Sequence, residues 1–174
     1  MEVYLVRHTE TVCAKGICYG QSDVELAESY LQQFEKIKKQ LPQEALFYSS
    51  PLQRCTILAN YLSSSDYRVD RRLMEMHFGS WELKNWDAID QDELNVWMND
   101  FVNARATNGE SFTELYGRVV DFMDHVFSTQ DSQPVVVVTH AGVIRSFLCK
   151  QMNIPLKEAF SHKVEFGQVI KVIL

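Results

Sequence analysis

Two short apolar runs, each followed by a histidine, most strongly restrict how this chain can fold. The run at residues 3–6 ends at Arg7 and His8, and the run at residues 135–138 is followed one residue later by His140. Runs rich in β-branched residues without polar alternation are typical of strands that are covered on both faces. The carboxyl ends of parallel strands meet at one edge of a sheet, where ligands bind. The sequence therefore predicts that His8 and His140 face each other at that edge.

Helical patterns separate the strand-like runs. The first predicted helix has an apolar face that includes Leu31 and Phe34. Strands that alternate with helices favour a layered α/β fold with a mostly parallel sheet. The predicted strands are 3–6, 45–48, 67–70 and 135–138, with a closing pair at 162–166 and 168–173; the predicted helices are 26–41, one opening at 50–54, 111–127 and 142–152, with short helical turns near 86–89 and 92–101.

Two of the predicted helices begin with capping signals. Ser50 and Gln53 have the spacing of a capping box, with a proline at the first helical position between them. Ser111 and Glu114 have the same spacing at the start of a later helix. The first signal places Arg54 in the opening helical turn, directly after a strand, and so at the same sheet edge as the two histidines.

Bulk properties limit the classes of function. The chain has 174 residues, which suits one domain over 1–174, and its net charge of −6 argues against a nucleic-acid or acidic-membrane binder. No apolar run approaches the roughly 20 residues that span a bilayer, and the first residues lack a signal-peptide pattern. We therefore expect a cytoplasmic protein with no membrane partner. Its four scattered cysteines are expected to be reduced.

The residues at this edge suit phosphoryl chemistry. Arg7 and Arg54 supply planar cationic groups that match phosphate oxygens, and a helix starting near Ala141 would add backbone N–H donors. His140 could donate a further hydrogen bond. These groups would stabilise a phosphoryl group in transfer, with His8 as the nucleophile that forms a phosphohistidine.

The leaving oxygen also needs a proton. Glu75 is one candidate for the general acid, which would later activate water, and Glu82 is a competing carboxylate. A nearby phosphate dianion would favour the protonated form of such an acid. No cluster has the spacing of a metal site, so we expect neither a metal nor another cofactor.

The motifs together resemble those of the histidine phosphatase superfamily, the phosphoglycerate-mutase-like enzymes. The similar segments occur in the family's order over nearly the whole chain: Leu5-Val6-Arg7-His8-Thr9-Glu10-Thr11, Ser49-Ser50-Pro51-Leu52-Gln53-Arg54-Cys55, Glu75 to Glu82, Asn108-Gly109-Glu110-Ser111, and Thr139-His140-Ala141-Gly142-Val143-Ile144-Arg145. The resemblance implies a three-layer αβα sandwich with a mostly parallel central sheet. It also implies a metal-independent mechanism in which Glu75, rather than Glu82, is the acid.

The resemblance extends to one branch of the family and includes some departures. The loop at 16–23 resembles that of the α-ribazole phosphatases of cobalamin assembly, in which Gln21 and Ser22 are expected to contact the phosphate or its leaving group. Thr9 stands where the family usually has glycine, and Ala14 where many members have asparagine. The glycine that is usual in the family's helix after the D-x-x-L segment is also absent, with Glu28-Ser29-Tyr30 in its place.

Three functions fit this pattern. The resemblance favours a phosphomonoesterase acting on a small phosphorylated metabolite, such as α-ribazole 5′-phosphate. One alternative is a mutase that returns the phosphoryl group to its substrate, and the other is a non-catalytic module that binds phosphorylated ligands. The chain's short length favours the phosphatase over the mutase, and the presence of the whole set, including His8 and Glu75, argues against the binding module. The sequence says nothing about oligomeric state.

Overall fold

The strands form one mostly parallel sheet. A computed structural model describes residues 1–128 and 133–174. Strands β1 (Glu2–Arg7), β2 (Leu46–Ser49), β3 (Arg68–Val69), β4 (Val135–Thr139) and β5 (Val169–Ile173) lie in the order β3-β2-β4-β1-β5. All neighbouring pairs are parallel except β1 and β5, which are antiparallel. The predicted sheet is confirmed, and β1 and β4 are adjacent within it.

Helices cover both faces of the sheet because successive residues of the central strands point to opposite sides. Val135 and Val137 of β4 pack with helices α4 (Phe112–Phe127) and α5 (Ala141–Met152). Val136 and Val138 pack with α1 (Tyr30–Lys38) and α2 (Gln53–Ser63) on the other face. This arrangement confirms the three-layer fold. No helix in the described ranges is both long and apolar enough to cross a bilayer.

Helix α1 is shorter than the sequence pattern predicts. The pattern extends over 26–41, but Leu26 instead forms an antiparallel bridge with Thr11, and the N–H of Ala27 donates to the Glu10 carbonyl. These bonds tie the segment to the loop after β1 and delay the helix until Tyr30. The predicted apolar face is also partly wrong, since Leu31 is 54% exposed.

The predicted capping box at α2 is wrong, whereas the one at α4 is confirmed. Helix α2 begins at Gln53, three residues after Ser50, and the backbone N–H of Gln53 donates to Asp23 of the preceding loop. A loop carboxylate therefore takes the place of the predicted cap. At α4, Ser111 and Glu114 form both bonds of a capping box.

The remaining segments support the edge where the site lies. Helix α3 (Gln91–Asn99) and short 3₁₀ turns at 71–73, 79–81, 86–88 and 156–161 connect the main elements. The predicted strand at 162–166 is wrong, because this segment directly follows the 3₁₀ turn at 156–161. A tight turn, in which the Gln168 N–H donates to the Glu165 carbonyl, then leads into β5. The carbonyl of Val164 accepts a hydrogen bond from Arg7 instead of joining the sheet.

Candidate active site

The two predicted histidines meet at the carboxyl edge of the sheet. Arg7 at the end of β1 is paired in register with Thr139 at the end of β4, so the residues that follow emerge side by side. The rings of His8 and His140 are 5.2 Å apart between centroids. The predicted juxtaposition is therefore present, and it follows from the register of two adjacent parallel strands.

The backbone fixes the orientation of the His8 ring. Nδ1 of His8 lies 2.8 Å from the carbonyl oxygen of Thr9, to which it donates as the protonated nitrogen. Nε2 then carries the free lone pair. The threonine that departs from the family's usual glycine keeps this contact, because its carbonyl rather than its side chain makes it. The Thr9 side chain is fully buried, whereas Ala14, the second departure, is exposed on the loop.

Both histidines are held in the neutral form. Burial, reinforced by the positive charge of Arg54, moves the pKa of His8 well below its usual value of 6.5, although the Thr9 carbonyl opposes the shift. Burial and the same arginine also move the pKa of His140 well below 6.5. A neutral imidazole at position 8 retains the lone pair that a nucleophile requires.

His140 is bonded to helix α2 and the segment before it. Its Nε2 lies 2.8 Å from the Ser50 hydroxyl and 3.5 Å from the Cys55 thiol. The Cys55 thiol is fully buried, which raises its pKa far above the usual range and makes it a packing group rather than a nucleophile. Ser50, predicted as a helix cap, thus serves mainly as a partner of His140.

Three arginines surround the cavity at this edge. Arg54 is fully buried, and its two terminal nitrogens donate to the carbonyls of Ser22 and Gly20 at 2.9 Å and 2.5 Å. Arg7 donates to the Val164 carbonyl, and Arg145 donates through Nε to the carbonyl of His162 at 3.0 Å. No ion pair within the described ranges includes any of the three. One fully buried and two half-buried cations without a bonded carboxylate favour an anionic ligand.

Glu75 is the acidic group at this cavity. One of its carboxylate oxygens accepts the N–H of Met76 at 2.9 Å, and the other accepts the N–H of Gly142 at 3.2 Å. A Cβ atom at position 142 would overlap the Glu75 carboxylate, so the absence of a side chain there lets the acid reach the amino end of α5. The carboxylate also interacts electrostatically with Arg7 and Arg145.

A half-buried arginine on α4 fixes the backbone that carries Glu75. Arg118 donates to the carbonyls of Arg72, Met74 and Glu75 at 2.6 Å, 2.7 Å and 3.0 Å. It also forms an ion pair with Glu110 at 2.5 Å. This set of bonds joins the helix to the acid-bearing loop and limits the movement of the carboxylate.

Glu82, the competing carboxylate, holds the loop after β1. It accepts the backbone N–H of Gln21 at 2.9 Å and both the backbone N–H and the hydroxyl of Ser22. The side-chain amide of Gln21 donates to the Glu75 carbonyl at 3.0 Å. These contacts assign Glu82 to loop positioning. Both Gln21 and Ser22 bond to the protein here, and their predicted contact with phosphate stays a prediction.

The cavity has a volume of about 270 Å³ and contains groups that the sequence analysis missed. Of the candidate site residues, Arg7, His8, Arg54, Glu75 and Ala141 border it, whereas His140, Gln21 and Ser22 are not among its lining residues. The further lining residues are Ile17, Cys18, Tyr19, Phe78, Trp86, Arg145 and Phe166. One signal for Arg145 was available, since it lies four residues after Ala141 on the same helix and therefore on the same face. Trp86 and Phe166 gave no comparable signal.

The chain belongs to the histidine phosphatase superfamily (branch 1), whose family model matches residues 3–173. This match confirms the family indicated by the five motifs.

Individual relatives are similar over nearly their whole length. The adenosylcobalamin/alpha-ribazole phosphatase of Escherichia coli (strain K12) is 28% identical, over 96% of this chain and 87% of that protein. The phosphoserine phosphatase 1 of Hydrogenobacter thermophilus is 26% identical, over 92% of this chain and 81% of that protein. The crystal structure of the alpha-ribazole phosphatase from Shigella flexneri superimposes with a TM-score of 0.90 at 26% identity, covering 100% of this chain and 91% of that one.

Proposed function

We propose that this protein is a phosphomonoesterase that works through a phosphohistidine at His8. The observation that carries the proposal is the neutral imidazole of His8, whose orientation is fixed by the Thr9 carbonyl, in a cavity bordered by three arginines and one glutamate. Arg7, Arg54 and Arg145 would bind the phosphate oxygens, together with backbone N–H groups at the start of α5. His140 would support the transferred group beside the nucleophile.

The reaction has two steps. Nε2 of His8 attacks phosphorus, the bond from phosphorus to the leaving oxygen breaks, and Glu75 gives its proton to that oxygen. Water then attacks the phosphohistidine, Glu75 takes a proton from this water, and the phosphorus–nitrogen bond breaks. The cycle releases an alcohol and inorganic phosphate, and it returns His8 and Glu75 to their starting protonation states. None of these steps calls for a metal ion.

The substrate is a small phosphorylated metabolite, and α-ribazole 5′-phosphate from cobalamin biosynthesis is the first candidate. The names of the Escherichia coli and Shigella flexneri relatives support this choice. The phosphoserine phosphatase among the relatives makes phosphoserine the natural comparison substrate.

The central test is to trap and count the transferred phosphoryl group. Wild-type protein incubated with a radiolabelled phosphomonoester should release inorganic phosphate and, when quenched, carry an acid-labile, base-stable label. His8→Ala should lose both signals. His125→Ala, which alters an exposed histidine at the end of α4, is the matched control and should keep both.

Two results would contradict the proposal. Label retained by His8→Ala would place the nucleophile elsewhere. Transfer of most of the phosphoryl group back to an organic acceptor, instead of to water, would indicate a mutase. A screen of phosphomonoesters that includes α-ribazole 5′-phosphate and phosphoserine would then rank the substrates.

A further inference from the structure

A second cavity, lined by apolar and aromatic groups, lies beside the first. It has a volume of about 420 Å³ and is bordered by Trp86, Trp97, Met98, Phe101 and Phe160. We call it the aromatic cavity. None of these five side chains is charged, and Met98 and Phe160 are 63% and 44% exposed. An open apolar cavity of this kind suits a flat, uncharged ligand group.

The aromatic cavity adjoins the cavity beside His8, which we call the catalytic cavity, through two residue contacts. Trp86 borders both cavities. In addition, the guanidinium of Arg145, which borders the catalytic cavity, lies 4.9 Å from the ring centroid of Phe160. Ring contacts at 6.0 Å, 6.2 Å and 4.7 Å run from Trp86 through Trp97 and Phe101 to Phe160. The two cavities are therefore parts of one surface.

The two cavities differ in size and therefore suit different parts of a substrate. The catalytic cavity, at about 270 Å³, is smaller than the roughly 300–1,000 Å³ typical of sites that enclose a whole small ligand. Its three arginines and one carboxylate suit the phosphate and the reacting oxygen. Any larger leaving group must extend outside it, and the adjacent uncharged surface is the aromatic cavity. A small leaving group with its own carboxylate would gain no contact there.

We propose that the aromatic cavity binds the far end of the substrate's leaving group, and that this end is a flat aromatic ring system. The inference rests on the proposed phosphatase function and extends it to a substrate class. A polar spacer between the ring and the phosphorylated carbon would pass Arg145 and Trp86. The ring would stack among Trp97, Phe101 and Phe160, where offset and edge contacts are favourable.

The test compares two phosphate esters that differ only at their far end. Both are primary alkyl phosphates with the same spacer and the same leaving-group acidity, one ending in a naphthyl group and the other in methyl. The wild type should favour the naphthyl ester in kcat/KM by about tenfold or more, which is the scale expected for burying one aromatic group. A series of spacer lengths locates the optimum.

A charge introduced into the aromatic cavity should remove this preference. Met98→Glu should lower kcat/KM for the naphthyl ester to about that of the methyl ester, through a higher KM, while the methyl ester keeps its own value. Val96→Glu is the matched control, because Val96 is 65% exposed on the same helix and does not border the cavity. The control should keep the wild-type preference.

Several outcomes would overturn the proposal. Equal kcat/KM for the two esters in the wild type would do so and leave the phosphatase function standing. If neither these esters nor any other phosphomonoester is hydrolysed, the phosphatase function fails. Calorimetric binding of both esters then still decides the question, since equal affinities would exclude an aromatic subsite. If Met98→Glu instead converts a dimer to a monomer without changing the preference, the cavity is a contact between two copies.

Discussion

At the level of single residues, the protonation state of two histidines is the feature most open to measurement. His8 and His140 are buried beside Arg54, and their pKa values lie well below 6.5. In the unfolded chain each imidazole would take up a proton below about pH 6.5. The unfolded state then binds more protons than the folded state, so acid favours unfolding.

We therefore expect the free energy of unfolding to fall as the pH drops from 6.5 to about 5. Each buried histidine contributes up to about 1.4 kcal/mol per pH unit across this window. Denaturant titrations at several pH values measure the slope. In His140→Gln the free energy of unfolding should depend less steeply on pH, by the amount that one bound proton contributes, whatever the absolute stability of the variant. An unchanged slope would mean that His140 is already protonated in the folded protein.

At the level of secondary-structure elements, the amino end of α5 determines where the acid lies. This helix starts directly after β4, and its second residue, Gly142, leaves room for the Glu75 carboxylate and donates a hydrogen bond to it. Hydrogen bonds from Arg118 on α4 to backbone carbonyls hold the loop that carries Glu75. Two helices and one loop thus fix a single carboxylate.

Gly142→Ala should displace this carboxylate and reproduce the effect of Glu75→Gln. We expect hydrolysis of an alkyl phosphate to slow by about a hundredfold or more, the range for loss of general acid catalysis. An activated aryl phosphate, whose leaving group needs little protonation, should slow far less. Rates with both esters measure the difference.

The matched control is Gly117→Ala, at an exposed position inside α4 where an added Cβ contacts nothing within 4 Å. It should raise stability by about 0.5–1 kcal/mol and leave both rates unchanged. Equal slowing of the two esters by Gly142→Ala would remove Glu75 from the acid role.

At the level of the whole molecule, the fold concentrates positive charge in an otherwise acidic protein. The net charge is −6, yet three arginines and one glutamate border the catalytic cavity. Arg54 is fully buried, and its described hydrogen bonds are to carbonyl oxygens. Burying a cation without a counter-ion is costly, so a bound anion should stabilise the fold.

Inorganic phosphate should therefore raise the melting temperature of the wild type. The stabilisation should reach about 2.7 kcal/mol at a concentration one hundred times the dissociation constant. Arg54→Met avoids the cost of burying the charge but leaves the carbonyls of Gly20 and Ser22 without their donor, so each protein is compared with itself in the absence of phosphate. This variant should lose most of the rise in melting temperature that inorganic phosphate causes in the wild type. A full phosphate effect in Arg54→Met, measured by thermal unfolding, would show that Arg54 does not bind the anion.

The sequence by itself determined the central part of the fold and the groups that we propose to react. The apolar runs before His8 and His140 identify strands covered on both faces, since an uninterrupted β-branched run has no polar face to expose to water. Such local patterns also located Arg54 after a strand and the capping box at α4. The choice of Glu75 over Glu82 came from the family resemblance, because the residues alone left both carboxylates open.

Only the tertiary structure decided the features that depend on contacts distant in sequence. Leu26 bonds to the loop after β1 and not to its own helix, and Asp23 supplies the cap that Ser50 and Gln53 were predicted to form. Helical spacing from Ala141 places Arg145 on the face toward the catalytic cavity, but nothing in the local sequence of Trp86 shows that it joins this cavity to the aromatic cavity. Periodicity reports which face of an element is buried; the neighbouring elements determine what that face contacts.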